Sequence, residues 1–189
     1  ITRASKNPYH IAKNYLNRKF YADQPNQKWL TDVSEFKYYT GLEVKKIYLS
    51  AIFDLADRRI VSFVISDRND NKLVFDTFDQ AVKAEPNAHP LLHSDRGFQY
   101  TSKVFCTKLK KAKMKQSMSR VAHCTDNGPM EGFWGMLKRE KYYRRKFISR
   151  ESLVEMIEKY MNYYSNSRYQ RCLKCKTPLQ IHQELLRAA

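Results

Sequence analysis

Three acidic residues lie at points of the chain where carboxylates could work together. Asp32 stands within an apolar stretch typical of a strand, Asp95 directly follows a second apolar run, and Glu131 lies in the first turn of a predicted helix. Each has an ordinary explanation: an edge-strand acid facing water, a turn residue, and an acid favoured by the helix dipole. As a set, they could converge from a strand centre, a strand end and a helix start.

Three carboxylates gathered in this way could hold two divalent cations. Oxygen ligands suit magnesium or manganese. Two such ions activate the attacking oxygen and stabilise the leaving oxygen of a phosphodiester displacement, which is the chemistry of nucleases and polynucleotidyl transferases. The expected cofactors are therefore two Mg²⁺ or Mn²⁺ ions, with Asp32, Asp95 and Glu131 as the candidate ligands and catalytic residues.

The helix that carries Glu131 is predicted to begin at Pro129, since proline suits the first helical position. Lys138 shares the face of Glu131 about 10.5 Å further along the helix, where its cation could hold a DNA phosphate. Trp134 falls on the border between this face and an apolar one. It is therefore either a core aromatic residue or a wall of the site that could stack on an unpaired base.

The charge of the chain indicates the class of partner. Lysine and arginine number 35 against 19 acidic residues, which gives a formal net charge of +16. A polyanion is expected, and nucleic acid is the default. Two basic runs, residues 103–120 and 138–150, flank the predicted site and are interpreted as tracks for double-stranded DNA. The residues predicted to contact DNA are Lys138, Trp134, Arg139, Lys113, Lys115 and Arg120.

The elements that must position these residues predict an α/β fold. Strand formers occupy 29–36, 46–53, 59–65, 90–93 and 114–118, while helical periodicity covers 71–84, about 102–111, the segment from 129 and about 151–164. Short turns join the first three strands, and strand, loop and helix then alternate. This order predicts a mixed five-stranded sheet, three antiparallel strands and then two parallel ones, flanked by helices. Residues 119–127 lack periodicity and are expected to form a mobile loop.

Composition excludes several other classes of protein. The chain is 42% hydrophobic and 13% aromatic, which is too apolar for a disordered chain. Its apolar runs are shorter than the ~18 residues that a membrane helix needs, and no secretory signal opens the sequence. Four cysteines without disulfide-like spacing fit free thiols in a reducing cytoplasm. We therefore expect a cytoplasmic, DNA-associated protein with no membrane partner.

Three motifs resemble a known family. They are Trp29-Leu-Thr-Asp32, the segment from His93 through Asp95 to Ser102, and the segment from Asp126 through Glu131 to Lys138. They are similar to the integrase core of bacterial insertion-sequence transposases, the group closest to retroviral integrases. Between Asp95 and Glu131 lie 131 − 95 − 1 = 35 residues, which is the spacing that names the acidic triad of that family.

The resemblance implies a ribonuclease-H-like fold with an Asp-Asp-Glu site. In such enzymes water first cuts the transposon end, and the freed 3′-hydroxyl then attacks a second phosphodiester without a covalent protein intermediate. Some relatives first join one transposon end to the other as a circle. The resemblance also implies transposon ends and target DNA as partners, and a homo-oligomer assembled on DNA.

The predicted domain organisation has three parts. Residues 1–28 are interpreted as a basic linker from a missing upstream DNA-binding region, 29–165 as the integrase catalytic core, and 166–189 as a basic C-terminal tail with a short helix. The first residue is Ile rather than Met, so we expect a piece of a longer protein. Related transposases carry a helix-turn-helix module ahead of the core, and the core alone is expected not to recognise its own ends.

Other interpretations remain open at this stage. One alternative is a ribonuclease-H-like nuclease without strand transfer, and another is a catalytically decayed DNA-binding or assembly module. Cys172 and Cys175, with His182 as a third ligand, could suggest zinc, but no second cysteine pair stands at finger spacing, so no zinc is expected. Asp126 is the one serious substitute for a triad member, and His93 is expected to orient the loop of Asp95.

Overall fold

The computed structural model describes residues 8–120 and 124–188. It contains a single five-stranded sheet of the predicted kind within that part of the chain. Strands β1 (Lys28–Thr40), β2 (Glu43–Asp54) and β3 (Ile60–Ser66) are antiparallel, and β4 (Leu91–Ser94) and β5 (Lys115–Met118) are parallel. The spatial order is β3-β2-β1-β4-β5, so β1 is the central strand and not an edge. The strand that carries Asp32 therefore lies in the middle of the sheet.

The described helices follow the predicted order. They are α1 (Asn71–Ala84), α2 (Lys103–Lys111), α3 (Gly128–Leu137), α4 (Arg150–Asn166) and α5 (Pro178–Arg187). Asp70, Ser102 and Ser149 cap the first, second and fourth helices through their side chains, which satisfies backbone N–H groups that would otherwise lack partners. A capping box between Thr177 and Gln180 starts α5. Helix α3 continues into a π-helical turn, Lys138–Tyr142.

The predicted mobile loop is partly ordered. Residues Cys124–Asn127 form a 3-10 turn that leads directly into α3, and residues 121–123 lie outside the described part of the chain. The expectation of a loop without structure is wrong for this turn. The reason is a buried carboxylate, Asp126, whose partners stand more than a hundred residues earlier in the chain and next to the end of β5.

The sheet separates two apolar layers. On one face, Leu30 and Phe36 of β1 pack with α3 and α4. On the other face, Trp29 and Val33 pack with α1 and α2. This alternation follows from the two-residue period of side chains along a strand. Because Asp32 has the parity of Leu30, it points towards α3, the helix that carries Glu131.

The segment ahead of β1 packs on the core. Residues 10–20, which we call the strap, run beside β5 and over the start of α3. Ala12 and Leu16 are buried there, and Ser117 Oγ of β5 accepts hydrogen bonds from the backbone N–H groups of Tyr15 and Leu16 at 3.0 and 3.1 Å. The interpretation of residues 1–28 as a linker from an upstream region stays a prediction. Within residues 8–28, the strap contributes Ala12 and Leu16 to the core.

No helix in residues 8–120 and 124–188 combines the length and apolarity that crossing a membrane requires.

Candidate active site

Strand register brings two of the predicted acids together. Parallel strands β1 and β4 are paired along Lys28–Leu30, with Leu30 opposite His93. Asp32 and Asp95 each stand two residues beyond this last pair, at the carboxyl end of β4 where open α/β sheets place their ligands. The negative charge of Asp95 accordingly acts on Asp32.

A cleft of about 1490 Å³ opens beside this point of the sheet. Asp32 and Glu131 both line it, together with Trp134 and Lys138 of the helix opposite. The cleft is therefore bounded by the central strand on one side and by α3 on the other. These are the elements that the sequence assigns to the catalytic residues.

Asp32 is a carboxyl group in an unfavourable setting for its charge. Burial, and then the negative charge of Asp95, raise its pKa to about 7. Trp134 Nε1 donates a hydrogen bond to Asp32 Oδ2 at 3.0 Å, which acts in the opposite direction and fixes the carboxylate. Tyr100 lies within the field of the same two acids, and its pKa is raised well above the usual value, mainly by burial.

The loop of Asp95 rests on a buried histidine. His93 Nδ1 is 2.8 Å from Ser117 Oγ, and Nε2 is 3.1 Å from Ser119 Oγ. Since Ser117 Oγ already accepts two backbone N–H bonds, its hydroxyl donates to His93 Nδ1, and the histidine is neutral with its proton on Nε2. Burial lowers the pKa of His93 to about 4. This arrangement is consistent with the predicted orienting role.

Glu131 occupies the predicted place in the first turn of α3. The predicted division of faces is confirmed, since the apolar face is buried, and it consists of Met130, Phe133 and Leu137. Glu131 itself is exposed at the cleft, and partial desolvation raises its pKa. Within the described ranges, no three His, Cys, Asp or Glu side chains form a metal-binding group. The structure brings Asp32 and Asp95 close, with Glu131 across the same cleft.

The donor chemistry of the cleft suits a hard divalent cation. The carboxyl groups of Asp32 and Asp95 supply oxygen atoms, which are the ligands that magnesium and manganese prefer. The high pKa of Asp32 shows that its charge is poorly compensated in the protein alone. A cation beside this pair would favour the ionised form of both groups.

Lys138 is the predicted DNA-binding residue with the clearest place in the cleft. Its Nζ lies 5.0 Å from the centre of the Phe36 ring, and it lines the cleft beside Trp134. Burial lowers the pKa of Lys138, while the charges of Glu35 and Asp32 raise it. The amine therefore lies close enough to Glu35 and Asp32 for their negative charges to stabilise its protonated form.

Trp134 proves to belong to the core and to the site together. It is 6% exposed and packs on Phe133, with ring centroids 5.0 Å apart. So little exposed surface leaves its ring poorly placed for stacking on a base. Contact of Trp134 with DNA stays a prediction, and the observed contact is the hydrogen bond to Asp32.

The other residues predicted to contact DNA lie outside the cleft lining. Lys113 and Lys115 are exposed beside α2, where Lys115 Nζ lies 3.6 Å from the centre of the Tyr15 ring. The guanidinium of Arg139 lies over Gly135 of α3. Arg120 is bonded to Asp126 through its backbone N–H and its guanidinium. Their DNA contacts stay predictions.

Sequence reasoning missed part of the cleft wall. Lys37, Lys46 and Arg68 also line the cleft. Alternation along β1 assigns Lys37 to the face opposite Asp32, so the strand pattern could not have identified it as a neighbour of the site. Arg68 lies in a turn between β3 and α1, and only the tertiary fold brings it to the cleft.

Two discounted groups have other partners in the structure. His182 Nδ1 lies 2.7 Å from Asp57 Oδ2, which ties α5 to the turn after β2, and both Cys172 and Cys175 are exposed. Arginine neighbours hold the pKa of Asp126 well below its usual range. Asp126 is thus a carboxylate whose charge is compensated by arginine partners, which differs from the poorly compensated carboxyl of Asp32.

Comparison with known proteins finds one family along most of the chain. Residues 22–124 and 131–186 each match an integrase core domain family. An uncharacterized transposase-like protein of Haemophilus influenzae is 39% identical over 177 residues, which cover 94% of this chain and 80% of that protein. The InsK protein of insertion sequence element IS150 from Escherichia coli K12 is 38% identical over 174 residues, 92% of this chain. The chain spans 60% of the length of InsK.

Solved structures support the same fold. The catalytic core domain of HTLV-2 integrase, solved in complex with magnesium, superimposes with a TM-score of 0.63 at 20% sequence identity. The match covers 84% of this chain and 97% of that one. The predicted ribonuclease-H-like fold is thereby confirmed.

Proposed function

Because this chain belongs to the integrase core domain family, we propose that it is the catalytic part of an insertion-sequence transposase. In this proposal it cleaves transposon ends in a metal-dependent reaction and transfers the resulting 3′-hydroxyl into DNA. The observation that supports it most is the register that places Asp32 and Asp95 side by side, with Glu131 across the same cleft.

Asp32, Asp95 and Glu131 are proposed as the catalytic residues and as the ligands of two Mg²⁺ or Mn²⁺ ions. Such ions, when bound, would activate the attacking oxygen and stabilise the leaving one. Trp134 orients Asp32 through its indole N–H, and the His93 network supports the loop of Asp95. Movement of the Glu131 side chain towards the two aspartates would complete the ligand set.

The proposed partner is double-stranded DNA, both as transposon end and as target. Lys138, near the acids, would hold a phosphate close to the scissile bond, and the basic runs would track the backbone on either side. A homo-oligomer on DNA in the bacterial cytoplasm is part of the same proposal. Two DNA ends then have to be brought together by separate copies of the site.

A joining assay tests the proposal. A labelled oligonucleotide with a free 3′-hydroxyl is incubated with plasmid DNA and Mg²⁺ or Mn²⁺, and products longer than the oligonucleotide are measured. We expect such products from the natural chain and a loss of at least a hundredfold in Asp32→Asn, Asp95→Asn and Glu131→Gln. Asp79→Asn is a matched control, since Asp79 pairs with Lys108 on the surface, and it should keep full activity.

The remaining outcomes separate the alternatives. Cleavage products without joined products would indicate a nuclease of this fold. DNA binding without metal-dependent cleavage or joining would indicate a decayed module. Full activity in any one of the three acidic variants would exclude that residue from the site.

A further inference from the structure

Asp126 is a buried carboxylate with an unusually complete set of partners. Its side chain is 0% exposed. Oδ2 accepts from Asn14 Nδ2 at 2.9 Å and from the backbone N–H and Nε of Arg120, both at 3.0 Å. Oδ1 accepts from Arg18 Nε and from a terminal nitrogen of Arg120, both at 2.8 Å. Five donors on two oxygen atoms fix the position of this carboxylate closely.

The donors come from two separate parts of the chain. Asn14 and Arg18 belong to the strap, and Arg120 follows the end of β5. The strap is itself fixed to β5, because Ser117 Oγ binds two of its N–H groups and the backbone N–H of Met118 donates to the carbonyl of Lys13 at 3.4 Å. Asp126 therefore joins the strap and the edge of the sheet to the segment that begins α3.

That segment leads within a few residues to Glu131. Asp126 lies in the 3-10 turn that runs into α3, and Glu131 follows it by 131 − 126 = 5 residues. Asn127, at the N-cap of α3, makes no side-chain capping bond. Phe20, where the strap ends, lies next to Gly128, since a Cβ added to Gly128 would stand 3.8 Å from its ring. The start of α3 is thus held by contacts with the strap and with Arg120.

We propose that Asp126, acting with Arg18 and Arg120, is the positioning residue that sets where Glu131 stands relative to Asp32 and Asp95. This inference rests on the proposed function only in so far as Glu131 is catalytic. It also reassigns Arg120, whose guanidinium serves Asp126 and does not bind a DNA phosphate. The strap is then a structural component of the active site, although none of its residues lines the cleft described above.

Kinetics of the joining reaction give the first test. In Asp126→Asn and Arg120→Gln we expect kcat to fall at least tenfold, while KM for DNA stays within twofold. Their effects should be non-additive, so the double variant should be no more than about twofold slower than the worse single one. An unchanged kcat in both single variants, or a rise in KM alone, would overturn the positioning role.

Salt dependence separates positioning from phosphate binding by Arg120. Each phosphate contact contributes a slope of about −0.9 to a plot of log binding constant against log salt concentration. Arg120→Gln should leave the slope of the natural chain unchanged. Flattening of the slope by about one contact would show that Arg120 binds DNA and would overturn its reassignment.

Hydrogen exchange followed by mass spectrometry tests the positioning role of Asp126 without any need for activity. Peptides covering α3 should exchange at least fivefold faster in Asp126→Asn than in the natural chain, and peptides covering α1 should be unchanged. Asp79→Asn is the control for the substitution itself. If Asp126→Asn does not fold, Arg18→Gln replaces it, since the Arg18 side chain is 46% exposed and its loss is milder. Unchanged exchange in α3 would overturn the proposal, whether or not the natural chain joins DNA.

Discussion

The two aspartates at the centre of the site owe their positions to strand register, and the surrounding side chains tune them. Burial and the charge of Asp95 both oppose the charge of Asp32, while hydrogen bonds from the backbone N–H of Val33 and the indole N–H of Trp134 favour it. Sequence alone left Trp134 undecided between core and site. Helical periodicity places a residue on a border but does not say which group faces it across the cleft.

Replacement of Trp134 by phenylalanine tests this contact. The change keeps most of the ring volume and removes the N–H that binds Asp32. We expect the joining rate to fall by about tenfold and the Mg²⁺ concentration for half-maximal activity to rise, because the charged form of Asp32 loses one of its hydrogen bonds and its carboxylate is held less firmly.

Trp29→Phe is the matched control for that experiment. Trp29 Nε1 donates to Asp54 Oδ2 at 3.0 Å, outside the cleft lining. Its replacement removes an equivalent buried hydrogen bond and should lower Tm without changing the metal requirement. An identical metal requirement in both tryptophan variants would argue against a special role for Trp134.

Lys138 gives a second prediction for a single residue. Its amine lines the cleft near Phe36 and senses the charges of Glu35 and Asp32. Lys138→Ala should flatten the salt dependence of DNA binding by about one contact, roughly 0.9 in the log-log slope. Fluorescence anisotropy of a labelled duplex, titrated with protein at several salt concentrations, measures the binding constants that give this slope. A slope equal to that of the natural chain would remove Lys138 from the set of phosphate contacts.

Elements that are determined by neighbouring residues could be predicted from the sequence. Elements that depend on contacts between distant parts of the chain could not. Helix α1 has the predicted bounds, because its apolar spacing and its cap at Asp70 depend only on residues that are neighbours in the sequence. The turn at Cys124–Asn127 was missed because Asp126 finds its partners in Asn14 and Arg18, more than a hundred residues away. Burial of the strap residue Leu16 was missed for the same reason.

The ion pairs of Asp126 with Arg18 and Arg120 predict that stability depends on pH. Arg120 and Arg18 hold the folded-state pKa of Asp126 well below its usual range. A carboxyl group whose pKa is lower in the folded than in the unfolded state stabilises the fold at neutral pH. This contribution is lost progressively as the pH falls below the unfolded-state pKa of about 4 towards the folded-state pKa. The natural chain should therefore exceed Asp126→Asn in Tm by about 5 °C at pH 6, and the difference should shrink towards pH 3.

Circular dichroism melts of both chains across this pH range measure the difference. Glu184→Gln is a suitable control, since Glu184 pairs with Lys176 on the exposed surface of α5. A Tm difference that stays constant from pH 6 to pH 3 would contradict the assignment of Asp126 as an ionised carboxylate that stabilises the fold through its arginine partners.

At the scale of the whole molecule, the net charge of +16 and the distribution of the basic runs favour affinity without sequence recognition. Phosphate contacts supply binding, whereas reading base pairs needs side chains delivered into a groove by a dedicated element. We expect this chain to bind a duplex bearing the terminal repeat and a scrambled duplex with affinities within about tenfold of each other.

Competition binding at moderate salt measures that ratio. A preference above about a hundredfold, equivalent to roughly 2.7 kcal/mol, would show that the core itself reads the ends. Near-equal affinity that becomes a clear preference when upstream residues are added would support a separate recognition module.

The packing of the strap also has a consequence for how this fold can be divided. The family match begins at residue 22 and β1 at Lys28, so either position would look like a natural boundary. A chain trimmed there would lose Ala12 and Leu16 and would uncover the apolar surface that they fill beside β5 and α3. We expect such a chain to aggregate on expression, and its light scattering and yield, compared with those of the natural chain, would reveal where the autonomous folding unit really starts.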